Sequence, residues 1–265
     1  MKGDFPVQEG IKRPPEKCGG GLWEPVDGAT YLETYRGCPY RCAYCFEGKG
    51  YGRIRRFSRE RIESEIALVA GAPGVSSFSF IDPVFNLSGE RLEWLSNTLE
   101  PYASAGVRLH TVEVDIERVD AHQAALLARG GVGSVETGPQ SIGAAALATC
   151  HRGFDADRFA EGVSALHDAG ISVECDLIIG LPGDTLAEVV AGLGFAIGLD
   201  PGRVQISTLH VLPGTELWAR SPDLGLVYDP EPPHEVIATV EMTYGDLRRA
   251  EMFAVAAAQV YRATL

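Results

Sequence analysis

Three cysteines crowd into one short stretch, Cys38-Pro-Tyr-Arg-Cys42-Ala-Tyr-Cys45, with the spacing C-x3-C-x2-C. Thiolates are soft ligands suited to iron–sulfur clusters and to zinc. A closed zinc site takes four ligands, and no His or Cys follows at finger spacing. A purely structural cubane would also take a fourth cysteine. Three thiolates on a cubane leave one iron open, and an open metal position is what catalysis requires. The other cysteines, Cys18, Cys150 and Cys175, are scattered along the chain. That distribution favours a metal site over a disulfide framework. Cys150 and Cys175 read as structural. A passive zinc protein or a redox-sensing cluster protein is the competing reading.

The elements that must hold this loop follow a regular rhythm. Strands are expected at residues 29–35, 76–81, 107–114, 133–137, 171–179 and 204–212. Helices are expected at 58–70, 88–103, 120–129, 142–149, 155–169 and 185–198. Ser58 stands as an N-cap, with Ile62, Ile66 and Val69 on one apolar face. Strict alternation points to βαβ units and a parallel sheet. Polar residues fall where strands end. The cysteines follow the first strand, Asp82 and Asn86 the second, and Glu113 ends the third. Glu136 and Gln140 follow the fourth, Asp176 lies on the fifth, and His210 is near the end of the sixth. The carboxyl ends of parallel strands form the active face of α/β barrels, so these residues are expected on one rim. His210 is expected to point into the barrel, where it can serve as an acid or base. A Pro-rich turn, Asp229–Pro233, breaks the rhythm. The segment 244–265 reads as an amphipathic helix packed on the barrel wall, its apolar stripe in the core.

Composition sets the outer limits. The chain has 265 residues and 45% hydrophobic content, enough for one large α/β domain or two small ones. The net charge of −13 demotes nucleic acid as a substrate. A strip of Arg53, Arg55, Arg56 and Arg59 reads as a solvated face around a helix start. No apolar stretch approaches the ~20 residues that span a bilayer, and the N-terminus has no apolar signal region. A cytoplasmic location is the expectation. The chain divides into an irregular arm at 1–28, a barrel at 29–228, and a linker with a helix at 229–265.

The run Leu32-Glu-Thr-Tyr-Arg-Gly-Cys-Pro-Tyr-Arg-Cys-Ala-Tyr-Cys45 resembles the signature loop of the radical S-adenosylmethionine (SAM) superfamily, including an aromatic, Tyr44, before the third cysteine. Arg56-Phe-Ser-Arg-Glu-Arg-Ile62, Phe80-Ile-Asp-Pro-Val-Phe-Asn86, Gly138-Pro-Gln-Ser141, Asp176-Leu-Ile-Ile-Gly-Leu-Pro-Gly-Asp-Thr185 and Val211-Leu-Pro-Gly-Thr215 narrow the likeness. They resemble the branch whose members often carry an N-terminal cobalamin-binding domain. The resemblance implies a partial (β/α)6 TIM-like barrel. It also implies a [4Fe–4S] cluster on Cys38, Cys42 and Cys45, with SAM on the open iron. One electron would cleave SAM to a 5′-deoxyadenosyl radical, which abstracts hydrogen from a small-molecule substrate, in specialised biosynthesis. The implied protein partner is an electron donor such as flavodoxin or ferredoxin.

By the same resemblance Asp82 and Asn86 sit where relatives hold the SAM amino group. Glu113, Gln140, Arg152 and Asp176 match positions that hold its carboxylate and ribose. Tyr44 and Glu136 join this set, and Leu212 lies in a segment that lines adenine. One departure is Pro139, where Gly-Leu-Gln-Ser is usual; it removes a backbone N–H. Only about 28 residues precede the first strand, too few for a cobalamin domain. The expectation is a reaction without cobalamin; the alternatives are a C-methyltransferase whose cobalamin another chain supplies, or a fragment.

Overall fold

The computed structural model describes residues 25–47 and 53–264. Cys18 and nearly all of the expected N-terminal arm lie outside the described residues. In chain order the elements begin with strands β1 (Tyr31–Leu32), β2 (Tyr35–Arg36) and β3 (Arg55–Arg56). Next come helix α1 (Arg59–Ala70), β4 (Ser77–Phe80), α2 (Gly89–Ser104), β5 (Arg108–Leu109) and β6 (Val112–Glu113). A 3-10 turn (Ile116–Arg118) leads to α3 (Ala121–Arg129), β7 (Ser134–Gln140), α4 (Ala144–Thr149), α5 (Ala156–Asp168) and β8 (Ser172–Ile179). The chain ends through α6 (Leu186–Gly198), β9 (Arg203–Thr208), α7 (Glu216–Arg220), β10 (Val227–Tyr228), β11 (Val236–Ala238) and α8 (Tyr244–Thr264).

Side-chain caps start the helices where the sequence predicts. Ser58, Ser88, Asp120 and Asp155 each accept a hydrogen bond from a first-turn amide. Thr185 forms a reciprocal capping box with Glu188. The strands pair in parallel in the orders β1-β4-β5 and β6-β7-β8-β9. Leu109 joins the two runs, because its amide donates to Gly131 O and its carbonyl accepts from Gly133 N. The expected strand 107–114 is thus broken at His110–Thr111, and its two halves serve opposite sides of one curved sheet. The result is a partial α/β barrel with helices on its convex face.

Alternation along β8 sets the two faces. Val173, Cys175, Leu177 and Ile179 are buried toward the helices, while Glu174 and Asp176 face the concave side. The end of the barrel departs from expectation. The sixth strand leaves β8 after Leu209, whose amide still donates to Ile179 O at 2.9 Å, and residues 209–211 also pair antiparallel with 234–236. Val211 N donates to His234 O and Val236 N to Leu209 O, each at 2.9 Å. In that register Leu209 and Val211 are buried and His210 is exposed, bridging to Glu235. The expectation that His210 enters the barrel is therefore corrected. Helix α8 does pack back, on Leu247, Ala250 and Ala254, but Met252, Phe253, Val255 and Val260 are exposed. Only part of its apolar surface is core.

A buried polar knot fixes the entrance to the cysteine loop. Asp82 accepts from Thr34 N at 2.7 Å and from Thr34 Oγ1 at 2.6 Å, and pairs with Arg91. Arg91 also donates to Thr34 Oγ1 and Phe85 O. Tyr35 Oη donates to Val84 O and accepts from Val84 N, at 2.9 and 2.8 Å. These bonds bind β1, β2, the loop after β4 and helix α2 together. Removing one member of a buried ion pair strands the other, at a cost of about 3–5 kcal/mol. Asp82→Ala is expected to destabilise the protein on that scale in chemical denaturation. A loss below about 1 kcal/mol would contradict the strut.

Candidate active site

The cysteine loop is the excursion between β2 and β3, which pair antiparallel as Tyr35↔Arg56 and Arg36↔Arg55. Gly37 opens it in the left-handed region, at φ 94°. Its middle is clamped by backbone. Buried Ala43 donates to Cys150 O at 2.9 Å, and its carbonyl accepts from Leu217 N at 3.0 Å. Tyr40 is tied through its hydroxyl to Asp115. Asp115 is held in turn by Asn86, which accepts from its amide at 2.8 Å and donates to its carbonyl at 2.9 Å. Inside this frame the three thiols lie within electrostatic reach of one another. Burial, and then the charges of Cys42 and Cys45, push the Cys38 thiol up to about 11. Burial raises Cys45 too, although its sulfur accepts a hydrogen bond from Glu47 N at 3.3 Å. Among the described residues no three His, Cys, Asp or Glu side chains converge on a single metal ion.

Beside Cys42 opens a cleft of about 310 Å³, into which Glu113, Glu136, Gln140, Arg152 and Asp176 all project. Strand register brings the carboxylates together. Glu113 on β6 stands opposite Glu136 on β7, and Asp176 on β8 lies one step further along the same face. Burial and the charge of Glu136 lift Glu113 to about 7. Asp176 is raised well above the carboxylate range, by burial first and then by Glu136. Its Oδ1 is buried without a hydrogen-bond partner, and so is Arg152 Nε.

The turn Gly138-Pro139-Gln140 shapes the wall between them. A Cβ on Gly138 would lie 2.3 Å from Asp176 O, so only glycine lets β7 and β8 approach there. The ladder slips between Thr137 and Gln140, and Gln140 takes φ 65°. Pro139 has no N–H to donate, so it sits where the ladder is already broken. Arg152 donates to Gly138 O and lies 3.7 Å from Cys42 Sγ. Burial works against its charge, but Tyr44 and Cys42 outweigh it and raise its pKa. Tyr44, half-buried, links the loop to this guanidinium.

Three expected contacts lie elsewhere. Asp82 and Asn86 are wholly buried and consumed by structural bonds, and neither lines the cleft. Leu212 is 39% exposed and its carbonyl caps α7 through Thr215. Sequence reasoning missed Asp115 and Tyr40, which line the cleft, and Arg91. The Asp-x8-Arg spacing of Asp82 and Arg91, one side chain ending a strand and the other opening a helix, was the available signal for that pair.

The family model described as the radical SAM superfamily matches residues 32–196. The chain belongs to the radical SAM superfamily. That membership makes it an enzyme, and the passive zinc alternative falls. The chain is 29% identical over 201 residues to the uncharacterized methyltransferase PH0819 of Pyrococcus horikoshii, covering 73% of this chain and 42% of that protein. It shares its fold with the radical SAM methyltransferase TsrM of Kitasatospora setae, solved with cobalamin and a [4Fe–4S] cluster. The TM-score is 0.68 at 21% identity, over 84% of this chain and 47% of that one. Coproporphyrinogen III oxidase (HemN) of Escherichia coli matches at a TM-score of 0.61 and 18% identity, over 88% of this chain and 54% of that one. The chain thus spans less than half the length of PH0819 and of TsrM. No helix among the described residues is long and apolar enough to cross a membrane.

The raised carboxylates set a pH dependence. Asp184, buried and bonded to Ser141 at 2.8 Å, is lifted to about 7 by burial and by Glu188 and Glu241. A raised acid binds more protons folded than unfolded, so its contribution is lost as pH climbs toward the folded pKa. The thermal midpoint of the ligand-free protein is expected to fall between about pH 5 and about pH 8, and to fall less in Asp184→Asn. An equal fall in both proteins would contradict this origin.

Proposed function

We propose that this chain holds a [4Fe–4S] cluster through Cys38, Cys42 and Cys45, and binds SAM in the adjoining cleft to start hydrogen abstraction from a small-molecule substrate. The observation that carries the reading is the cleft itself. A buried guanidinium and a buried carboxyl, each with an unpartnered atom, face one space beside a cysteine of the loop. A SAM-sized amino acid nucleoside offers a carboxylate to the first and hydroxyl groups to the second. When bound, the cluster supplies one electron to the sulfonium of SAM.

The chain's own residues bind, orient and exclude water. Arg152 pairs with the carboxylate in a fork, the geometry guanidinium favours. Gln140, Glu113 and Asp176 present amide and carboxyl oxygens to ribose hydroxyls. Asp176 keeps a proton at neutral pH more readily than a surface aspartate, so it can donate as well as accept. Glu136 orients the ligand beside Asp176, while Tyr44 steadies Arg152 from the loop side. Asp82 and Asn86 act as struts for the loop. A protein donor such as flavodoxin or ferredoxin delivers the electron.

A second reading rests on the similarity to a relative named as a methyltransferase. There the same cleft binds SAM, and a cobalamin supplied by another chain carries the methyl group.

Anaerobic reconstitution with iron and sulfide, reduction, and assay for 5′-deoxyadenosine test the first reading. Wild type is expected to bind about four irons and release 5′-deoxyadenosine, and Cys42→Ala to do neither. Added cobalamin that redirects SAM to S-adenosylhomocysteine and methylated product would move the reading to methyl transfer. A zinc-bound protein without sulfide would overturn both. Arg152→Lys is expected to weaken SAM binding about tenfold or more in equilibrium dialysis, since the fork is lost; unchanged affinity would remove Arg152 from the site.

A further inference from the structure

We infer that Arg152, besides its place in the cleft, sets the reduction potential of the cluster by holding a fixed cation against the sulfur of Cys42. This rests on the reading that Cys38, Cys42 and Cys45 carry a reducible [4Fe–4S] cluster. The three sulfurs are not alike. Cys45 Sγ accepts from Glu47 N at 3.3 Å, and Cys38 Sγ from the Tyr40 amide, both neutral donors of the loop itself. Cys42 is the buried one of the three. Its sulfur meets a guanidinium from outside the loop, with Arg152 Nη1 at 3.7 Å.

The position of that cation is fixed by the fold. Arg152 follows α4, and its Nη2 donates to Gly138 O. Gly138 is locked in turn, since a Cβ there would lie 2.3 Å from Asp176 O. A buried cation is costly unless an anion faces it, and a guanidinium does not shed its proton. Burial works against the charge of Arg152, while Tyr44 and Cys42 favour it. A thiol that coordinates a metal is deprotonated outright, so iron ligation supplies the anion that a cation in this position calls for. The sulfur and the carbonyl use only part of the guanidinium's donors. Its orphaned Nε lies on an edge that a carboxylate can still take, so the two roles of Arg152 are compatible.

The surroundings show why such a cation matters. Glu113, Glu136 and Asp176 share the cleft, and the chain as a whole carries a net charge of −13. Glu47 and Glu113 act on the loop's sulfurs as well. Each of these acids, when charged, opposes the addition of an electron. Arg118 and Arg158 also line the cleft, but both are exposed, and solvent screens them. Hydrogen bonds to the sulfurs and the local charge set iron–sulfur potentials, and a charge-assisted bond is about twice as strong as a neutral one. One electron passes from an external reductant to the cluster; no bond breaks and no proton moves. The reduced form holds one more negative charge, so Arg152 stabilises it more than the oxidised form and raises the potential.

The test is a redox titration of the full, reconstituted chain without SAM, followed by the electron paramagnetic resonance signal of the reduced cluster. Leaving SAM out separates this role from carboxylate binding. Arg152→Gln is expected to lower the ratio of reduced to oxidised cluster about tenfold at a fixed potential, a shift of about 59 mV for one electron. Arg152→Lys keeps the charge without the planar fork, and its potential is expected to fall between the two. Iron and sulfide contents equal to wild type show that loading is intact. A loaded Arg152→Gln protein with the wild-type potential overturns the proposal. So does an equal drop in Arg152→Lys and Arg152→Gln, which would trace the effect to packing and not to charge. If neither variant loads, wild type decides: with isotopically labelled arginine, electron–nuclear double resonance is expected to show nitrogen coupled to the reduced cluster, and no coupling overturns the proposal. Wild type without iron and sulfide overturns the cluster reading itself, and this proposal with it.

Discussion

The buried pairing of Asp82 with Arg91 is the constraint on which the site depends. Neither side chain is reachable by more than a trace of solvent. Burial pushes the Asp82 carboxyl up, and Arg91 with the Thr34 hydrogen bonds pulls it back. Two desolvated charges are tolerated because nearly every lone pair and N–H around them is used. Thr34 gives both its amide and its hydroxyl, Tyr35 its amide, and Phe85 its carbonyl. The knot sits four residues before Cys38 and ties the start of the cysteine loop to a strand end and a helix. At its middle the loop is held by Ala43 between Cys150 and Leu217. A loop whose ligands must meet one rigid inorganic body gains from being fixed in advance.

The cleft shows the opposite economy. It gathers Glu113, Glu136 and Asp176 along one face of the sheet, leaves a carboxyl oxygen and a guanidinium nitrogen unpartnered, and places Gln140 in the left-handed region. Each feature costs stability in the empty protein. The core beneath it is an extensive apolar cluster from Leu32 to Ala196, which lets the rim carry that strain. Strain and orphaned polar atoms in one place, backed by a well-packed wall, are the physical mark of a surface shaped for a ligand rather than for folding.

Much of this was legible in the residues. Helix starts followed from single capping side chains, because an N-cap is a local event between neighbours. The convergence of Glu113, Glu136, Gln140 and Asp176 followed from their common place at strand ends, which a parallel sheet aligns, whereas Arg152 follows helix α4 and was expected from the family resemblance alone. What escaped was set by long-range pairing. Nothing local says that the strand at 107–114 divides at His110, since the break serves two sheet edges at once. The turn at Asp229–Pro233 reads as a stop, yet it leads into the segment that captures residues 209–211 and turns His210 outward. Asp82 and Asn86 looked like ligand contacts because a polar residue at a strand end is ambiguous; only burial distinguishes a strut from a hand.

The most direct measurement is the electron paramagnetic resonance spectrum of the reduced, reconstituted protein with and without SAM. If three cysteines leave one iron open beside the Arg152 cleft, SAM will shift the cluster's g-values, and the shift will be lost or weakened in Arg152→Ala while the cluster itself is retained. A cluster signal indifferent to SAM, or the absence of any cluster after reconstitution, would contradict the account.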